Sequence, residues 1–171
     1  VNSEEIIYLK DKETIISLGL TNAFFDKLYE FKSNKELKID IIKEEIHALE
    51  NVEFFDVAKN YRIISDEIYF FKKLEEVITK GKTEAFLDKK YFLKSNNISF
   101  FNKTKIIKSK NKAQIIDKKN DSYYQISNFN LSLGDEILKG ENISINNDYS
   151  KPLNNKLFIK SGIFDLKNKS F

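Results

Sequence analysis

Apolar and polar residues alternate with a period of two along most of the chain, the signature of half-buried strands. Tyr61, Ile63 and Ser65 share one side of an extended segment, and Arg62, Ile64 and Asp66 share the other. Further on, Tyr91, Leu93 and Ser95 oppose Phe92 and Lys94. β-branched and aromatic residues fill these runs, while Asn, Asp, Lys and Gly fill the breaks, as strands and turns require. In residues 40–50, Ile41, Ile42 and Ile46 fall near helical spacing, so that stretch stays open between helix and strand. Whether residues 1–22 share the fold also stays open.

The strand pattern repeats. Tyr29-Glu30-Phe31-Lys32-Ser33 returns as Tyr61-Arg62-Ile63-Ile64-Ser65, as Tyr91-Phe92-Leu93-Lys94-Ser95 and as Tyr123-Tyr124-Gln125-Ile126-Ser127. A fifth copy, Leu157-Phe158-Ile159-Lys160-Ser161, keeps the serine and loses the tyrosine. The serines step by about 30 residues, a spacing that marks stacked structural units. An aspartate precedes each of the first four tyrosines (Asp26, Asp56, Asp88 and Asp117), and basic segments such as Thr79-Lys80-Gly81 and Lys139-Gly140 read as closing turns. The units, 22–50, 51–81, 82–110, 111–140 and 141–171, make one domain over the whole chain. The pattern predicts an all-β, elongated, twisted antiparallel body: a folded-over sheet, a jelly roll or a roll of short strands. Pro152, the only proline, marks residues 149–155 as the best loop.

Composition narrows the chemistry. A chain of 171 residues with 41% hydrophobic residues has enough apolar surface for one domain with a real core. It contains no cysteine and one histidine, which removes disulfides, thiol catalysis, cysteine-zinc centres and multi-histidine metal sites. No apolar run is long enough to cross a membrane as a helix. The chain opens on Val1, lacks methionine and stops just after a strand-like segment, from which a piece of a longer precursor is expected. The net charge of +3 is a poor sign of nucleic-acid binding, because Arg62 is the only arginine among 29 basic residues. The lysines are scattered among nearly as many acids, so no nucleic-acid partner is expected.

No catalytic constellation emerges. The repeated serines have no paired base, and a residue repeated five-fold is a structural one. Asp26, Asp56, Asp88 and Asp117 stand singly beside lysines, which suits turn stabilisation better than calcium ligation by six to eight oxygens. His47, among Glu44, Glu45 and Glu50, reads as a solvated side chain. Tyr29, Tyr61, Tyr91 and Tyr123 are expected to form a ladder along one face, as packing pairs or as the lining of a path. The chain is read as a non-enzyme without metal or cofactor.

These units resemble the OstA-like periplasmic domain of the lipopolysaccharide transport and outer-membrane assembly family. The resemblance spans roughly residues 45–165. It is carried by Val52-Glu53-Phe54-Phe55-Asp56, by Tyr61 through Phe70, by Ile78-Thr79-Lys80-Gly81 and by Asp88 through Phe101. It continues through Ile107-Lys108-Ser109 to Ile116-Asp117 and ends in Phe158 through Asp165. The last segment is most similar to the stretch that precedes the barrel in the outer-membrane assembly members of the family.

The resemblance implies a β-jellyroll, or β-taco, whose groove holds the acyl chains of lipopolysaccharide on their way to the outer membrane. It implies a location in the periplasm or at the periplasmic face of the outer membrane. It also implies end-to-end docking with similar jellyroll domains by strand addition, and an outer-membrane barrel following in the same chain. A buried CH₂ is worth roughly 0.8 kcal/mol, so shelter for acyl chains outweighs any single exposed charge pair. The binding residues are therefore sought among inward-facing Phe54, Ile63, Ile68, Phe70, Leu93, Ile98, Phe100, Ile126 and Ile145. The alternatives are a structural or adhesive β-repeat segment of a cell-surface protein with a closed core, and, less well supported by a chain with one arginine, a carbohydrate-acting β-helix enzyme.

Overall fold

A computed structural model of the chain describes residues 1–147 and 156–168. The described residues form a single 15-stranded antiparallel assembly without an α-helix; a 3-10 turn at Lys10–Lys12 is their one helical element. In chain order the strands are β1 (Glu5–Leu9), β2 (Thr14–Leu18), β3 (Thr21–Phe25), β4 (Tyr29–Ser33), β5 (Glu36–Asp40), β6 (Glu45–Asp56), β7 (Tyr61–Phe71) and β8 (Glu76–Leu87). They continue with β9 (Tyr91–Asn96), β10 (Ser99–Phe101), β11 (Ile106–Ser109), β12 (Ala113–Asp117), β13 (Ser122–Ser132), β14 (Ile137–Asn147) and β15 (Lys156–Asp165). The predicted loop at 149–155 lies outside the described residues.

Residues 40–50 contain no helix. Ile41 and Ile42 sit exposed in the turn after β5, and Ile46 enters the core from β6. Helical spacing loses here because Ile39 and Ile46 pair across a hairpin, which buries both with every backbone group bonded. Residues 1–22 join the same assembly, through β1 on β2 and β2 on β5.

The long strands change partner midway. β6 pairs with β5 along 45–49 and with β4 along 53–56. β8 pairs with β10 along 76–78 and with β9 along 82–87. β13 pairs with β11 along 129–132 and with β12 along 122–126. As a result β8, β10, β11, β13, β12 and β9 close on themselves as a six-stranded barrel, from which the other strands extend.

The strand halves form two facing layers. The first holds β1, β2, β5, β10 and β11 with the halves bonded to them; the second holds β3, β4, β9 and β12 with theirs. Aromatic rings meet across the gap: Tyr29 and Phe70 at 4.9 Å between centroids, and Tyr61 and Phe100 at 5.4 Å. The chain passes between layers along one edge, the spine. Among the described residues, every hairpin turn lies on the opposite edge, the mouth, and joins strands of one layer.

Left-handed residues make the spine. Gly19, Asn51, Gly81, Asn97, Asn128 and Asn142 all have positive φ there, and the strand registers of β6, β7 and β13 break beside it. Glycine and asparagine adopt that conformation most readily. Thr79-Lys80-Gly81 is therefore not a closing turn, as its composition suggested, but the bend inside β8. The repeated serines supply hydrogen bonds where the ladder is interrupted. Ser33 Oγ lies 2.7 Å from the Leu49 carbonyl oxygen, Ser65 Oγ donates to Lys80 O at 3.0 Å, and Ser95 Oγ donates to Lys112 O at 3.0 Å.

Two substitutions of opposite sign test this backbone account. Gly81 has φ +81°, and an added Cβ would fall 2.1 Å from Asp66 Oδ2. Gly81→Ala is expected to destabilise by about 1–3 kcal/mol. Lys105→Gly relieves a left-handed lysine (φ 56°) in the exposed turn after β10 and is expected to stabilise by roughly 0.5–1 kcal/mol. Urea unfolding measures both.

Candidate functional site

The space between the layers is lined by unbroken cross-strand rows. In the second layer, successive partners link Ala23, Phe31, Phe54, Ile63, Ala85, Leu93, Ile115, Tyr124 and Ile145. In the first, they link Ile39, Ile46, Phe70, Val77, Phe100, Ile107, Leu131, Leu138 and Phe164. All are buried, most of them completely. The rows exist because side chains alternate across each strand, so apolar residues in register fall on one face.

All nine residues sought from the sequence lie in this interior. Phe54, Ile63, Leu93 and Ile145 belong to the second-layer row, and Phe70 and Phe100 to the row facing it. Ile68, Ile98 and Ile126 sit nearer the spine, where Thr79 Oγ1 accepts from the Ile98 N–H at 2.9 Å and Ile126 fills the space over Gly140. Phe54 and Phe70 come together from opposite layers, 5.5 Å apart and joined by Phe31 and Tyr29. The nine omit Phe31, Ile107, Leu131 and Phe164, which period-two alternation in their own strands would have revealed. Between the layers the rings of Tyr29, Phe31, Phe54 and Phe70 pack on one another, and Tyr61 packs on Phe100.

The tyrosines divide. Tyr29, Tyr61 and Tyr91 share the inner row nearest the mouth, interleaved with Asp56, Leu87 and Asp117. Tyr123 does not belong to it. That residue faces outward, and Tyr124 takes the interior place opposite Ile115 and Ile145. Burial raises the phenol pKa of Tyr29, Tyr61, Tyr91 and Tyr124, Tyr91 most strongly, and nearby carboxylates push the same way. The row is thus one of neutral hydroxyls, and among the described residues the buried Tyr91 hydroxyl has no hydrogen-bond partner.

Two of the four repeated aspartates bond their own turns, while Asp26 pairs with Lys72 of another turn. Asp56 accepts from the Lys59 N–H at 3.0 Å, and Asp117 from the Lys119 and Asn120 N–H groups at 3.0 and 3.1 Å. Asp26 and Asp88 each begin a tight turn with two successive left-handed residues. Among the described residues no group of three metal-ligating side chains gathers. His47 departs from the expected solvated side chain. It lies on the outer face, 2.7 Å from Glu67 Oε1 and stacked on Tyr69 at 4.1 Å. Its sequence neighbours Glu44, Glu45 and Glu50 are not its partners; the register opposite β7 supplies them.

No protein-family model matches the chain, and no curated protein matches it. The class that the geometry defines is an all-β protein of two facing layers enclosing continuous apolar rows.

Phe70 contacts Tyr29, Phe31 and Phe54 at the centre of the interior. Phe70→Ala is expected to cost about 3–5 kcal/mol in urea unfolding, against under 1 kcal/mol for exposed Lys103→Ala.

Acid is expected to destabilise the fold in a defined window. The hydrogen bond from Arg62 holds the Glu53 carboxyl low, and that from Lys90 does the same for Glu136, both against the opposing effect of burial. Such groups contribute stability above the unfolded pKa, about 4.3, and lose it as pH falls through the folded value. Unfolding free energy should change little from about pH 7 to 5 and fall below about pH 4. Glu53→Gln should flatten part of that acid limb.

Proposed function

We propose that this domain is a lipid carrier that shelters the acyl chains of lipopolysaccharide between its layers and hands them toward the outer membrane. One observation carries the reading: two apolar rows face each other without interruption through the length of an assembly whose layers are joined by the chain at one edge only. Such a body is a folded-over sheet of the β-jellyroll or β-taco kind, and it fits the resemblance to the OstA-like family. A carrier of this kind works by area rather than by reactive groups, at roughly 0.8 kcal/mol per sheltered CH₂. An acyl chain threaded between the rows would replace side-chain contacts with its own, which needs the layers to part.

The reading includes partners and place. Among the described residues β15 pairs only with β14, and β1 only with β2, so each presents an unpaired edge. Large apolar side chains stand exposed beside both, with Tyr8 56% and Phe158 74% accessible. Such edges suit strand addition by a similar jellyroll domain. The proposed setting is the periplasm or the periplasmic face of the outer membrane, with a barrel following in the same chain in the assembly-protein version.

The rings packed across the gap favour a second reading, a structural β-repeat segment of a surface protein that never opens. Photocrosslinking separates the two. A photoreactive residue at Ile63, Leu93 or Phe100 is expected to capture lipopolysaccharide, and one at exposed Lys38 or Lys103 is not. Absence of capture at every interior site in folded protein leaves the structural reading standing and ends the carrier reading.

A further inference from the structure

The two edges of the layered body are held by different forces. At the spine the chain itself passes between layers again and again, and Ser65, Thr79 and Thr83 bond one another and the Lys80 and Gly81 carbonyls. At the mouth the main-chain bonds between neighbouring turns run within a layer, as from Val57 N–H to Leu28 O and from Leu133 N–H to Lys105 O. Among the described residues, side chains join the layers there: the rings of Tyr29 and Tyr61 pack on Phe70 and Phe100, Asn120 Nδ2 donates to the Leu166 carbonyl at 2.9 Å, and a line of polar contacts links opposing turns. Lys72 reaches Asp26 at 2.7 Å, Asn102 donates to Asp56 at 2.9 Å, Lys59 lies 3.6 Å from Glu75, and Lys90 pairs with Glu136.

We propose that this line is a releasable seam: the layers hinge apart about the spine, and the parted mouth is a lateral slit that admits an acyl chain along its whole length. Opening at the mouth parts no strand pairing there, because the ladders that run through both layers (β6–β7, β7–β8, β13–β14 and β14–β15) cross only at the spine, about which the layers turn. The ion pairs that must release are partly exposed, hence individually weak and screened by salt. Directly behind them stand Tyr29, Tyr61 and Tyr91, whose rings are apolar and whose hydroxyls remain neutral. The Tyr91 hydroxyl is buried behind them, with no partner among the described residues. The nature of the cargo rests on the carrier reading above; the hinge is tested without cargo.

The chain has no cysteine, so a single interior thiol reports the opening. Ala85 is fully buried between Ile63 and Leu93, and Ala85→Cys adds one atom there. Its labelling by a water-soluble thiol reagent is measured with the native seam and with Asp26→Asn, Glu75→Gln and Glu136→Gln together. Seam loss is expected to speed labelling by roughly tenfold or more, at a rate that does not follow low urea. A rate unchanged, or one that rises with urea as global unfolding does, overturns the hinge. If the triple variant does not fold, the same comparison is made on the native seam between low salt and about 1 M salt, where the screening length is about 3 Å. Faster labelling at high salt, again insensitive to urea, supports the hinge, and no change overturns it. Palmitate is then added to the opened protein. Protection of Cys at position 85 supports both proposals, whereas urea-insensitive opening without protection keeps the hinge and removes the carrier reading.

Discussion

Everything in this structure depends on keeping apolar side chains inward while the strands turn a corner. In an uninterrupted strand, inward residues have one parity. In β7 they are Tyr61, Ile63 and Ser65 before the bend and Ile68 and Phe70 after it, so the parity switches at Asp66–Glu67. β13 switches likewise, from Tyr124 and Ile126 to Phe129 and Leu131. β6 keeps its parity because two left-handed residues, Glu50 and Asn51, are inserted together. In β7 and β13 the bulge is therefore a register correction, and without it half of each strand would turn its apolar face to water.

That constraint explains where polar residues are buried. A bulge interrupts the ladder and leaves carbonyls unpaired, and an unpaired buried carbonyl costs free energy comparable to a lost hydrogen bond. Ser33, Ser65 and Thr83 sit at those points and bond them. At the mouth the same need is met differently. Asp56 and Asp117 are buried but accept the N–H groups of their own turns, so each loses water and recovers hydrogen bonds locally. Polar chemistry is thereby confined to two edges, and the space between them is apolar.

The proposed carrier role rests on the asymmetry between the edges. The spine is covalent, whereas the mouth is closed by side chains alone, ion pairs together with buried hydrogen bonds and rings, so the proposed hinge opens at the mouth. Rings packed across the gap and a lipid-carrying role are compatible only if the layers can part, which makes the strength of the mouth the quantity that separates a carrier from a rod. The outer faces are of a different kind. Lys94 lies over Phe92 and pairs with Glu84, and Arg62 lies over Phe86 and pairs with Glu53, so their charges are already engaged within the molecule.

Much was written in the sequence itself. Period-two alternation specified strands, the five recurring segments all fell on strands (β4, β7, β9, β13 and β15), and the inward position of all nine residues was legible because large apolar side chains at alternating positions have nowhere else to go. Asparagine and glycine within strand-like runs also marked the bends, although Thr79-Lys80-Gly81 read as a turn, since the same residues serve both. What the sequence left open was pairing. Two adjacent tyrosines made the fourth repeat ambiguous by one place, and only the register of β13 against β12 and β14 put Tyr124 inside and Tyr123 outside. His47 met Glu67 and Tyr69 rather than its chain neighbours for the same reason. The mouth was invisible too, because Lys59 and Glu75, or Lys90 and Glu136, become neighbours only once two layers close. Alternation along a strand is local and can be read from the chain, whereas the contacts across strands and layers are set by long-range packing.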